Sequence, residues 1–177
     1  GEVRGIDAST QVPELYDPIT HKKSSYGYST IGIPGVVAGL VKLSEEYGRL
    51  PLKTVMKPAI KYAKEGFTIL PGEAMRHAYV EEIIGEFDGT RKYFLDATGS
   101  TYKKGKLFIQ EDLSKTLKAI AEKGKDGFYS GEVAERMVKD IQENGGILTL
   151  NDLKNYEAIE SKVLKSSYRD HDINTLY

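Results

Sequence analysis

The stretch Gly-Ile-Pro-Gly-Val-Val-Ala-Gly-Leu at residues 32–40 sets three glycines, Gly32, Gly35 and Gly39, at the head of an apolar run. Glycine-rich turns that open helices often hold phosphate on free backbone N–H groups. A Walker-type loop needs Lys and then Ser or Thr after its last glycine, and here Leu40 and Val41 follow Gly39. A dinucleotide fingerprint needs glycines at the first, third and sixth places, whereas these occupy the first, fourth and eighth. Both nucleotide readings fail. The small residues Gly35, Ala38 and Gly39 read instead as a helix face that lets a neighbouring backbone come close.

Other chemistry-bearing residues are scattered. His21, His77 and His171 lack metal-ligand spacing with one another or with a carboxylate. The acidic pairs Glu45–Glu46, Glu81–Glu82 and Glu111–Asp112 are adjacent in sequence. Adjacent residues on a helix point in different directions, so solvated helix faces explain them better than a paired-carboxylate site. Lysine pairs at Lys22–Lys23 and Lys103–Lys104 could attract anions, but the net charge of −1 leaves no basic excess for nucleic acid. Twelve tyrosines read mainly as core edges with a wet hydroxyl. The absence of cysteine excludes disulfides, thiolate zinc sites and a cysteine nucleophile. No serine stands in a nucleophile-elbow context. The residue pattern alone contains no catalytic constellation.

The elements that would position these residues are mostly helical. Residues 1–30 carry turn formers and tyrosines without a helical period and read as strand pieces and loop. Pro34 suits the first position of a helix that Gly48 ends. Apolar stripes predict further helices over 52–65, 72–86, 111–123 and 131–143. Ser130 is the expected N-cap of the last, with Glu132–Arg136 and Glu135–Lys139 pairs on its outer face. In Thr-Leu-Asn-Asp-Leu-Lys-Asn-Tyr, Thr149 and Asp152 have the spacing of a capping box, with Asp replacing Glu. Residues 89–109 are mixed, with 99–109 reading as a lysine-rich hairpin or loop, and those after 157 read as two strands joined near Arg169 and Asp170. No apolar run approaches the ~18 residues of a membrane span. No signal peptide is visible, the first residue is Gly1, and the last stretch reads as an interrupted strand, so the chain is expected to be part of something longer.

Several stretches in order resemble the large subunit of gamma-glutamyltransferases. Residues 32–40 resemble the family's Gly-Val-Pro-Gly-x-Val-Ala-Gly-Leu; residues 47–67 its Tyr-Gly-x-Leu-Pro and Ala-Glu-Gly-Phe; residues 107–158 its long helical run ending in Gly-Gly-x-Leu-Thr-x-x-Asp-Leu; and residues 168–177 the strand that follows. The resemblance implies a mainly α chain: a helical domain over 34–157, flanked by β segments at 1–33 and 158–177 that belong to the αββα core of an N-terminal-nucleophile hydrolase. It implies cleavage or transfer of a gamma-glutamyl group from an amide such as glutathione to water or an amine. The nucleophile would be a threonine exposed by self-cleavage, outside this chain, with its own α-amine as base. A small subunit from the same precursor would be the protein partner, and no metal or organic cofactor is needed. Family members are often periplasmic or extracellular.

One substrate-binding position should lie inside the chain. The family carries Ile-Asp-x-Arg-Glu-x-Ala-Pro, whose arginine holds the substrate's α-carboxylate. The matching stretch is Ile-Asp-Ala-Ser-Thr-Gln-Val-Pro at residues 6–13, with Ser9 in the arginine's place and Thr10 in the glutamate's. Serine cannot make a charged, bidentate contact to a carboxylate. The chain is therefore expected to be a divergent member with weakened or altered gamma-glutamyl recognition. The rival expectations are an acylase or amidase of the same fold with another acyl donor, and a non-catalytic helical interaction module.

Overall fold

A computed structural model describes residues 2–21 and 24–176. The Lys22–Lys23 pair lies outside the described residues. In chain order the elements are strand β1 (Gly5–Asp7), a 3-10 turn (Tyr28–Thr30), helices α1 (Val36–Tyr47) and α2 (Leu52–Glu65), strand β2 (Phe67–Thr68), helices α3 (Pro71–Tyr79), α4 (Glu81–Glu86) and α5 (Asp88–Phe94), and strand β3 (Leu107–Phe108). Helices α6 (Glu111–Lys123), α7 (Asp126–Tyr129), α8 (Gly131–Glu143) and α9 (Leu150–Asn155) follow, then strands β4 (Ile159–Ser161), β5 (Leu164–Tyr168) and β6 (His171–Thr175). About half of the chain is helical, and the strands are short and antiparallel: β1 with β4, β2 with β3, β5 with β6.

The chain divides into two compact units, one formed by residues up to Leu52 together with those from Lys123 onward, the other by Lys53–Glu122. The first unit holds the main core. Helix α8 presents Ala134, Val138 and Ile141 at helical spacing. They pack with Ile33, Ala38, Tyr129, Leu148, Leu153 and Tyr156. Each large apolar side chain buried there contributes about 1.5–3 kcal/mol. The β1–β4 ladder, with Ile6 opposite Glu160, joins the two ends of the sequence in this unit. In the second unit an aromatic knot of Phe67, Phe94, Phe108, Tyr102 and His77 covers the β2–β3 pair, with ring centroids 5.3–6.0 Å apart.

Several elements differ from expectation. Helix α1 begins at Val36 with Gly35 as its N-cap, so Pro34 stands one residue outside the helix. Its carbonyl is engaged instead by the Tyr129 hydroxyl at 2.6 Å. The helix expected over 72–86 is broken at Val80, where the backbone leaves helical geometry. Just beyond the break, the Glu81 carboxylate accepts the N–H and hydroxyl of Thr101 at 2.7 and 2.8 Å. Residues 88–94, at the head of the mixed stretch, form a helix, with the Thr90 hydroxyl on the carbonyls of Ile84 and Phe87. Ser130 occupies the N-cap of α8 without a hydroxyl cap bond. On that helix Arg136 pairs with Glu132 as expected, while Lys139 turns to Glu143. Three strands, not two, follow residue 157, and Arg169 and Asp170 make the turn between the last two.

Candidate functional site

Beyond strand β1 the chain runs on through Ala8, Ser9 and Thr10 without regular structure, and alternation along the strand sends odd and even side chains to opposite faces. Ile6 and Ala8 face α1. With Glu2, Arg4, Val36, Gly39, Leu40, Leu43 and Tyr47 they line an open cavity of about 650 Å³. Ser9 and Thr10 are not part of that lining; both are exposed. The Ser9 N–H and hydroxyl both donate to Asp7 Oδ1, at 2.8 and 2.6 Å. The Ser9 hydroxyl is thus turned back onto a carboxylate.

What holds this segment in place comes from far along the chain. Gly35 and Gly39 are pressed against Ala8, and a β-carbon on Gly39 would fall 2.5 Å from that of Ala8. The glycine stretch therefore works by close packing. The Gln11 and Ile33 backbones bond reciprocally, at 3.2 and 2.8 Å. Behind them two buried tyrosines stack with ring centroids 5.6 Å apart and planes within 7°. Tyr129 donates to Pro34 O and accepts the Ala38 N–H at 3.2 Å. Tyr156 donates to the Ser9 carbonyl at 2.8 Å. Burial pushes both phenols above their ordinary value.

Helix α9 supplies a further tie. Thr149 and Asp152 form the capping box, with Asp152 Oδ2 accepting the Thr149 N–H and hydroxyl at 2.8 and 2.6 Å. The other carboxylate oxygen accepts the Glu14 N–H at 2.9 Å. Burial works against the Asp152 anion, but the hydrogen bonds from Thr149 and Glu14 outweigh it and hold the carboxyl below the usual range. The capping box was legible as a local motif. Its reach to Glu14, 138 positions away, had no signal in the sequence. Nor did the roles of Tyr129 and Tyr156, which read as two more tyrosines with wet edges.

The remaining titratable groups stay apart. His21 meets the Ser29 carbonyl at 2.7 Å, His77 sits in the aromatic knot and His171 lies on exposed β6. Glu46 pairs with Lys42 at 2.6 Å. Asp112 gathers Tyr93, Lys115 and Lys92, which in that order hold its carboxyl far below the usual range. Among the described residues no group of three His, Asp or Glu side chains could hold a metal ion. No helix formed by them is long and apolar enough to cross a membrane.

The stretches at 32–40 and 149–156 thus meet Ala8 and Ser9 directly, Tyr129 backs them from behind, and all three lie within stretches that carry the sequence resemblance. The family described as Gamma-glutamyltranspeptidase matches the chain over residues 1–176. The chain belongs to the gamma-glutamyltranspeptidase family. It is similar to the glutathione hydrolase proenzyme of Escherichia coli (strain K12), 34% identical over 158 residues that cover 88% of this chain and 27% of that protein. Glutathione hydrolase 3 of Arabidopsis thaliana is 37% identical over 133 residues, 75% of this chain and 21% of that one. The crystal structure of Helicobacter pylori gamma-glutamyltranspeptidase superposes with a TM-score of 0.96 at 33% identity, covering 100% of this chain and 53% of the other. The chain spans about a quarter of the length of these curated relatives and about half of the solved chain.

Proposed function

We propose that the complete protein is an N-terminal-nucleophile hydrolase of the gamma-glutamyltranspeptidase family. In this reading the present chain is a large-subunit portion whose β segments join an αββα core. The helical domain is the 34–157 stretch, and residues 1–33 and 158–177 lead into that core. A small subunit cut from the same precursor completes the enzyme. The observation that carries the reading is the family match across residues 1–176.

The chemistry is covalent acyl transfer. A threonine hydroxyl, supplied by the part of the protein that this chain does not span, attacks an amide carbonyl and forms an ester. The C–N bond breaks, and the amine leaves with the proton that the threonine's own α-amine has taken from the hydroxyl. Water or an acceptor amine then cleaves the ester. Ser9 and Thr10 stand at the acyl-donor side. A guanidinium would fix a carboxylate there by two charge-assisted bonds, and the Ser9 hydroxyl bonded to Asp7 offers neither charge nor fork. Gamma-glutamyl recognition is weakened or altered, which also supports a second reading, an amidase or acylase of the same fold with a different acyl group.

The test is expression of the complete gene, inspection for self-cleavage into two chains, and assay against a panel of acyl anilides that includes the gamma-glutamyl one. Two chains and turnover of a gamma-glutamyl anilide support the first reading. Two chains with turnover of another acyl anilide only support the second. An uncut, inactive protein overturns both in favour of a non-catalytic helical module.

A further inference from the structure

The Ser9 carbonyl points into the core, onto the hydroxyl of a tyrosine that has no freedom to follow it. Tyr156 is 1% exposed and its ring lies flat against Tyr129. On the same side Gly35 leaves no room for so much as a methyl group between its own backbone, the Ala8 carbonyl and the Tyr156 hydroxyl. The segment is tied again at Gln11 by the Ile33 backbone and at Glu14 by Asp152. The Ser9–Thr10 peptide is therefore held in one orientation. It is trans, like every peptide bond described here. In a trans peptide the C=O and the following N–H point in opposite directions. With the Ser9 carbonyl drawn inward, the Thr10 N–H is aimed outward, at an exposed residue, and no acceptor among the described residues takes it.

We propose that Tyr156 is a positioning residue that turns the Ser9–Thr10 peptide so that the Thr10 N–H becomes a ligand-facing donor for an oxygen of the acyl donor. This rests on the reading of residues 7–10 as the acyl-donor side. It deepens that reading by naming which atom meets the ligand when the arginine is gone. The donor is neutral and single, so it serves a carbonyl or carboxylate oxygen without demanding a charge. Recognition at this point would tolerate acyl donors that a guanidinium fork would reject.

The test uses the complete protein and whichever acyl anilide of the panel it turns over fastest. Tyr156→Phe keeps the ring and the stack but releases the Ser9 carbonyl. Thr10→Pro removes the N–H itself, because proline carries no backbone donor. Both variants are expected to raise KM for the acyl donor, about tenfold for Thr10→Pro and several-fold for Tyr156→Phe, with kcat within about threefold of the parent. Tyr129→Phe removes the neighbouring hydroxyl of the same stack, which bonds Pro34 and Ala38 instead of Ser9. It is expected to lower the melting temperature with KM unchanged. A merely structural role for Tyr156 would behave like Tyr129, losing active enzyme and hence kcat without a KM change, and that result would overturn the inference alone. An unchanged KM for Thr10→Pro would do the same. A protein that turns over none of the panel overturns the enzymatic reading, and this inference with it.

Discussion

Gly35 lies so close beneath the carbonyl oxygen of Ala8 that a β-carbon on it would fall far inside van der Waals contact, and it would strike the Tyr156 hydroxyl as well. The backbone at Gly35 has an ordinary negative φ of −104°, so the requirement for glycine is spatial. Gly35→Ala is expected to cost about 2 kcal/mol or more, because backbone on one side and a locked tyrosine on the other cannot give way. Gly85, in α4, has no atom within 4 Å of where its β-carbon would stand. Gly85→Ala is expected to stabilise by about 0.5–1 kcal/mol through helix propensity. Urea unfolding of the complete protein measures both, and equal effects would contradict this account of the glycine stretch.

Asp152 gives the first unit a dependence on acid. Its folded carboxyl titrates below the ordinary range, despite burial, because Thr149 and Glu14 hydrogen-bond the anion. A depressed folded pKa contributes stability that is present above the unfolded value of about 4 and is lost as pH falls through the folded one. Asp152→Asn places an amide N–H₂ against a donor at one of these bonds. It is expected to cost about 1–3 kcal/mol at neutral pH and to flatten the loss of stability below about pH 4. Denaturant midpoints from pH 2 to 7, parent against variant, provide the comparison.

The stacked tyrosines add a dependence on alkali. Burial raises both phenols above their ordinary value; at Tyr129 the Ala38 N–H partly offsets it, and at Tyr156 the Asp7 charge adds to it. For a group whose folded pKa is raised, the contribution is fully present below the unfolded value of about 10 and is lost as pH rises through the folded one. Stability is therefore expected to fall above about pH 10. The fall should be shallower in Tyr129→Phe, which has one buried phenol fewer to ionise. Thermal melts at pH 8 to 11 would show it, and parallel curves for parent and variant would count against it.

Ser9→Arg tests the proposed change in recognition directly. A charged, forked contact to a carboxylate is worth about 1.5–3 kcal/mol over none. In the complete protein the substitution is expected to lower KM for a gamma-glutamyl anilide by about tenfold or more, while the Ser9 backbone carbonyl stays on Tyr156. Steady-state kinetics on that substrate read the outcome. An unchanged or higher KM would mean that residue 9 does not face the donor's carboxylate.

The sequence by itself determined the helices whose signals are local. The stripe over 131–143 and the stops at Gly66 and Gly145 needed only 3.6-residue periodicity and glycine's tolerance of positive φ. The Thr149–Asp152 box is likewise a three-residue matter. The order of the family stretches was legible in the same way. The break at Val80 was not, because the Glu81–Thr101 contact beside it spans 20 positions. Nor was the helix at 88–94, whose Gly89 and polar face hide its period.

Only the tertiary structure decided what the chemistry-bearing residues do. Composition counted twelve tyrosines; packing chose two of them, buried their hydroxyls and spent those on the Pro34 and Ser9 carbonyls. The reason is physical. A buried donor must find an acceptor, and which one it finds depends on chain segments 95 and 147 positions away that meet only when the core has formed.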